Sequence, residues 1–141
     1  MRTITEIILH CSATREGQDV SAETIRKFHT MPESQGGRGW SDIGYHYVIR
    51  LDGTIEKGRD ESVIGAHTTG HNAHSIGVCY VGGLDKNNKP KDTRTQAQKD
   101  ALCDLLRRLV VQYPNAKIYG HNEFANKACP CFDATQEYSI I

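Results

Sequence analysis

The sequence predicts an α/β (α+β) domain with a central mixed β-sheet of about five strands flanked by helices, and three observations carry that reading. Short β-rich runs alternate with stretches of helical periodicity, the pattern of a layered architecture. An Asp-Gly pair between two alternating runs inserts a hairpin into that succession, so the sheet has to be mixed. The length of 141 residues suits one hydrophobic core, so residues 1–141 are expected to form a single domain.

The elements follow in order. Thr5 to His10 (TEIILH) reads as a strand ended by the polar turn CSATREGQD. Ser21 is placed to cap a helix carrying Ile25, Phe28 and His29 on one side and stopped near Pro32. Tyr45–Arg50 and Thr54–Arg59 form the arms of the hairpin around Asp52-Gly53. GAHTTGHNAHS is loop-like, and Ile76–Val81 (IGVCYV) has the apolar run of a strand covered on both faces. Thr95 to Gln98 fits a capping box, followed by Ala101, Leu102, Leu105, Leu106, Leu109, Val110 and Tyr113 at helical spacing until Pro114. Lys117–His121 (KIYGH) is a further short strand, and Asp133–Tyr138 a terminal helical turn.

Composition narrows the function. Seventeen Lys and Arg balance 17 Asp and Glu, so no net positive field draws the chain to nucleic acid or anionic lipid. The apolar run Ile7–Leu9 is too short for a signal peptide or a membrane span, so synthesis in the cytoplasm without membrane insertion is expected. Five cysteines are an odd number without an export signal, so reduced thiols are expected, one of them free to hold metal.

Two predicted strands end in the same residue type: His10 closes one and His121 the other. If the two run parallel and adjacent, a strand spacing of about 4.8 Å brings both imidazoles to one ion at the carboxyl ends, where open α/β sheets bind ligands. Cys129, eight residues after His121, offers a third donor. Two imidazoles and a thiolate suit zinc, and three protein ligands leave one position for water, the arrangement of a hydrolytic site. Each residue also has an ordinary role available, the histidines as surface residues at strand ends and the cysteine as a small packing group. A competing local site from His67, His71 and His74 is disfavoured, because Thr68, Thr69 and Gly70 are poor helix formers.

Five blocks carry a resemblance: ILHCSAT at 8–14, DIGYHYVI at 42–49, DGTIEKGRDE at 52–61, HNAHSIGVCYVGG at 71–83 and HNEFANKACPCFD at 121–133. In this order they closely resemble zinc-dependent N-acetylmuramoyl-L-alanine amidases, above all the short phage enzymes of the amidase-type lysozyme class, which share a fold with peptidoglycan recognition proteins. The resemblance implies one zinc ion on His10, His121 and Cys129, catalytic roles for Tyr45 and Lys127, and a groove lined by His67 and Asn72 that receives peptidoglycan. Lys127 would add a cation to oxyanion stabilisation, and Tyr45 would orient water or donate a hydrogen bond. A surface lysine and a sheet aromatic are the bland readings of those two residues. Strand alternation would place Tyr45 with Tyr47 and Ile49, opposite His46.

One departure stands out: Cys131 follows Cys129-Pro130 where a small or polar residue is usual, offering a thiol that competes for the ion or oxidises. Cys11, Cys79 and Cys103 read as packing residues. The resemblance implies a monomeric wall-lytic amidase acting after release from the cell. Two rivals remain, a peptidoglycan-binding module without catalysis and a cytoplasmic amidase that recycles wall fragments; the latter class typically has an acidic third ligand.

Overall fold

The computed structural model describes residues 2–141. Its elements are β1 (Glu6–Cys11), β2 (Thr14–Arg15), α1 (Ala22–Thr30), β3 (Tyr47–Ile49), β4 (Ile55–Lys57), β5 (Ser75–Tyr80), β6 (Gly83–Leu84), α2 (Gln96–Gln112), β7 (Lys117–Gly120) and α3 (Ala134–Glu137). A five-stranded sheet has the order β4-β3-β5-β1-β7. β3, β5, β1 and β7 pair in parallel, while β4 returns antiparallel to β3, so the sheet is mixed as the hairpin requires. β2 and β6 make a separate two-stranded parallel pair that sequence patterning does not reveal, since two residues carry no period.

The sheet packs helices on both faces. On one, Leu102, Leu105, Leu106 and Leu109 of α2 meet Ile7 and Leu9 of β1, Ile76, Val78 and Tyr80 of β5, and Ala134 of α3. On the other, Ala22 and Ile25 of α1 pack with Ile43, Val48 and Val81. The period-2 alternation of β1 therefore turns His10 away from the α2 side that Ile7 and Leu9 cover. Both caps form: Ser21 Oγ accepts from Thr24 N, and Thr95 and Gln98 complete the capping box of α2. Gln98 is fully buried and also donates to the carbonyls of Ile49 (3.1 Å) and Val81 (2.9 Å), joining α2 to the ends of two strands. No helix among the described residues is long and apolar enough to cross a membrane.

Ile25, Phe28 and His29 do share one side of α1, where Phe28, 59% exposed, lines a surface groove with Ile25 and Arg38. Two local expectations need correction. The hairpin arms are shorter than their alternation suggests, although their backbones remain paired beyond β3 and β4. There, the consecutive carbonyls of Tyr45 and His46 accept from Arg59 N (2.9 Å) and Gly58 N (2.8 Å). Successive carbonyls of a regular strand point to opposite sides, so this pairing is bulge-like and breaks the alternation. Tyr45 accordingly packs with the Val48 side, whereas Tyr47 faces α2.

Candidate metal centre

β1 and β7 lie side by side and parallel, in a register that matches Leu9 with Gly120, so His10 and His121 leave the sheet at the same edge. Their ring centroids are 4.7 Å apart. His121 opens a short 3-10 turn, His121–Glu123, whose Glu123 carboxylate accepts from Gly120 N at 2.7 Å and fixes the chain's exit from β7. Cys129 is brought back by the loop that follows. The Tyr80 hydroxyl at the end of β5 donates to Pro130 O (2.7 Å), and Cys11 N donates to Cys129 Sγ (3.2 Å).

Donor atoms of His10, His121 and Cys129 all lie within 4.8 Å of one another. His10 Nδ1 is 3.8 Å from Cys129 Sγ. Metal bonds of about 2.1 Å to nitrogen and 2.3 Å to sulfur at a tetrahedral angle span about 3.6 Å, so the donors fit a zinc-sized ion with little movement. The other nitrogen of His10 is already engaged: Nε2 lies 2.9 Å from His67 Nδ1 and 3.3 Å from Thr68 Oγ1. Ser75 Oγ is 3.2 Å from His67 Nε2. One tautomer set satisfies this chain: His67 donates from Nε2 to Ser75, His10 donates from Nε2 to His67, and the lone pair of His10 Nδ1 faces Cys129. An outer hydrogen bond that fixes ring and tautomer in this way is the usual support of a metal-binding histidine.

His67 reaches its place because β5 carries a glycine beneath it. A Cβ at Gly77 would sit 2.6 Å from His67 Cδ2 and 2.7 Å from Cγ, so the close approach of the ring requires glycine there. Asn72 Oδ1 accepts from His67 N and Thr68 N, both at 2.9 Å, and holds the loop in shape.

Electrostatics keep these rings neutral. Burial, then the neighbouring His67, His121 and Lys127, pushes the His10 pKa well below that of an ordinary histidine. Burial first, with His46 and His121 next, pulls His67 down to about 3. Burial and Lys127 also lower His121. Neutral imidazole is the ligating form. Tyr45 is pushed well above 10, by burial and then by Cys79 and Cys129, and stays a phenol able to donate; its ring centroid is 5.1 Å from that of His10. Cys131 donates to Gly83 O at 3.3 Å, and its thiol is raised to about 12 by burial and then Cys11, which keeps it protonated.

These shifts set the sign of a pH effect. Below a pH of about 6.5 the unfolded chain protonates its histidines while the folded chain resists, so stability falls as pH falls, at up to about 1.4 kcal/mol per pH unit for each such imidazole. For His67 the loss is complete only near its folded value of about 3. The melting temperature of the metal-free chain, followed from pH 8 down to pH 4, is expected to drop steadily below pH 6.5; a flat profile would show that the imidazoles are protonated in place.

All seven residues singled out in the sequence, His10, Tyr45, His67, Asn72, His121, Lys127 and Cys129, line one cleft of about 370 Å3. Sequence reasoning missed several of their companions. Thr68 touches both His10 and His67, and the Cys11 amide supports Cys129. Arg38, Trp40 and His29 form the far wall, with the Arg38 guanidinium 5.0 Å above the Trp40 ring. The one sequence signal for Arg38 and Trp40 is their cationic and aromatic character within the Gly-rich stretch at 36–40, whereas His29 comes from α1.

A family model described as N-acetylmuramoyl-L-alanine amidase matches residues 1–132. The chain belongs to this amidase family. Among its relatives, the endolysin of Klebsiella phage KP32 is 46% identical over 128 residues, spanning 91% of this chain and 81% of its own. Two solved amidase-fold structures superpose closely. The endolysin amidase LysCS from Clostridium intestinale has a TM-score of 0.78 at 29% identity, covering 97% of this chain and 81% of its own. Wild-type Drosophila PGRP-LB has a TM-score of 0.77 at 28% identity, covering 99% and 82%. The five-stranded mixed sheet of this chain is thus the amidase and peptidoglycan-recognition fold.

Proposed function

We propose that this chain hydrolyses the amide between the lactyl group of N-acetylmuramic acid and L-alanine in peptidoglycan, with one zinc ion held by His10, His121 and Cys129. The observation that carries the proposal is that this donor set shares a cleft with a half-buried tyrosine and a lysine. Zinc, when bound, supplies Lewis acidity toward the amide carbonyl and lowers the pKa of water to about 7.

The chain's own residues do the rest. Lys127 stands on the cleft wall near His10 and His121, where its ammonium offsets negative charge developing on the amide oxygen. Tyr45 lines the cleft and remains protonated, the form in which a phenol can donate a hydrogen bond to a bound amide. His67 positions His10 through their shared hydrogen bond, and its loop, tied by Asn72, forms part of the wall against which the muramyl peptide is placed. Residues 1–141 work as one amidase domain, as a monomer, on the cell wall once released from the cell.

The likeness to the peptidoglycan recognition proteins LCa and LCx, solved with tracheal cytotoxin bound, favours one second reading, recognition of peptidoglycan without cleavage. Cys129 within the donor set argues against it, and equally against a recycling amidase with an acidic third ligand. The test is incubation with zinc and purified peptidoglycan. New L-alanine amino termini without new sugar reducing ends are expected. Binding with no new termini would leave the recognition module, and preference for soluble fragments over intact walls would favour recycling.

A further inference from the structure

A second group of metal-type donors lies at the other end of β1. Glu6 opens the strand and is in register with Ser75, the first residue of β5. Just before Ser75 runs the 3-10 turn Asn72–His74, with His71 at its N-terminus. Side chains three residues apart in a 3-10 turn eclipse one another, so His71 and His74 fall on the same side, facing Glu6. Glu6 Oε1 is 2.9 Å from His71 Nδ1 and 2.9 Å from His74 Nε2. The donor atoms of all three residues lie within 4.8 Å of one another.

This group is independent of the cleft donors. Glu6 and His10 are four residues apart along a strand, about 13 Å. The Glu6 side chain is 14% exposed, against 29% for His71 and 41% for His74, so the carboxylate is largely sheltered while an ion and completing waters can enter past the rings. The His71 ring is held by Phe124, stacked on it at 3.9 Å and 23°. Phe124 ends the turn that begins with His121, and His71 follows the loop that carries His67.

We propose that Glu6, His71 and His74 form a second metal site, for a divalent ion of the zinc class. Two imidazole nitrogens and one carboxylate oxygen with room for water are a zinc donor set, whereas calcium and magnesium call for oxygen ligands throughout. An ion there ties the start of β1 to the His67 loop and, through Phe124, to the His121 turn. Its role is to brace the two segments that frame the cleft.

The test is metal uptake by the metal-free chain, read by elemental analysis after dialysis and by cobalt spectra. Wild type is expected to take up two equivalents. Cys129→Ser, which disables the cleft site, is expected to keep one, with a cobalt spectrum lacking thiolate charge transfer, and added zinc is expected to raise its melting temperature. His71→Gln combined with His74→Gln is expected to keep the other equivalent, with the thiolate band intact. Glu6→Gln preserves size and weakens the second equivalent at least ten-fold, which keeps the question answerable if the double variant misfolds. One equivalent in wild type and none in Cys129→Ser overturns the proposal. So does a second equivalent that survives Glu6→Gln undiminished. Because Cys129→Ser reads this site alone, failure of the cleft to bind metal is seen separately.

Discussion

Removing the metal with a chelator, or replacing Cys129 by Ser, is expected to cut stem-peptide release from purified cell walls to background, a loss of at least about 10^3-fold, because both water activation and charge stabilisation depend on that centre. The reason lies in the protein groups that would remain. His10 and His67 are buried and far too weakly basic near neutral pH to take a proton from water efficiently, and Tyr45 is too weak an acid to replace a cation. Lys127 and Arg38 add positive charge to the cleft wall, but neither can ligate and activate water as a metal ion does. Ser at position 129 keeps the shape but supplies a hydroxyl in place of a thiolate, in a pocket where the Cys11 amide already donates toward sulfur. Peptide release is measured by chromatography of soluble products, with zinc added back. Restoration by zinc in the chelated wild type, and none in Cys129→Ser, is the expected pair. Hydrolysis indifferent to the chelator would reduce the donor set to structural support.

The sequence disclosed the metal centre more readily than its surroundings, and the difference is physical. His10 and His121 are far apart in the chain, yet each terminates a β-rich run, and parallel pairing of adjacent strands brings such ends together without further information. Ser21 and Thr95 announce their helices by local hydrogen bonds that sequence spacing encodes directly. Tyr45 is different. Which face it occupies depends on the irregular pairing of two consecutive carbonyls with Arg59 and Gly58, and period-2 reasoning fails where the strand is irregular. The support His67 gives to His10 is also hidden, because it depends on a glycine ten residues later leaving space on a neighbouring strand. The Glu6, His71 and His74 group escaped for the same reason. Its members are joined by the register of β1 on β5, and a scan for metal spacing within one segment weighs only the histidines of the loop.

Lys127→Ala is expected to lower kcat by about 10^2- to 10^3-fold, the usual cost of deleting one oxyanion-stabilising donor, while zinc content stays unchanged. Lys127 is exposed on the cleft wall rather than packed, so its removal leaves no cavity and little folding penalty. Its charge is felt inside the site, where it is one of the causes that hold the His10 and His121 pKa values down. Neutralising it therefore moves those two values upward in the metal-free chain, so protons begin to compete with zinc binding at a higher pH in the variant than in the wild type. Lys127→Arg restores the charge and should recover part of kcat without recovering the geometry of an ammonium. Tyr45→Phe isolates the hydroxyl, since the ring that packs 5.1 Å from His10 is retained. A smaller fall is expected there, about 10- to 10^2-fold, because a neutral donor stabilises developing charge less than a cation does. The split between kcat and KM assigns the role: a fall in kcat with KM unchanged places Lys127 on the transition state, whereas a raised KM at constant kcat would make it a residue that merely holds the substrate.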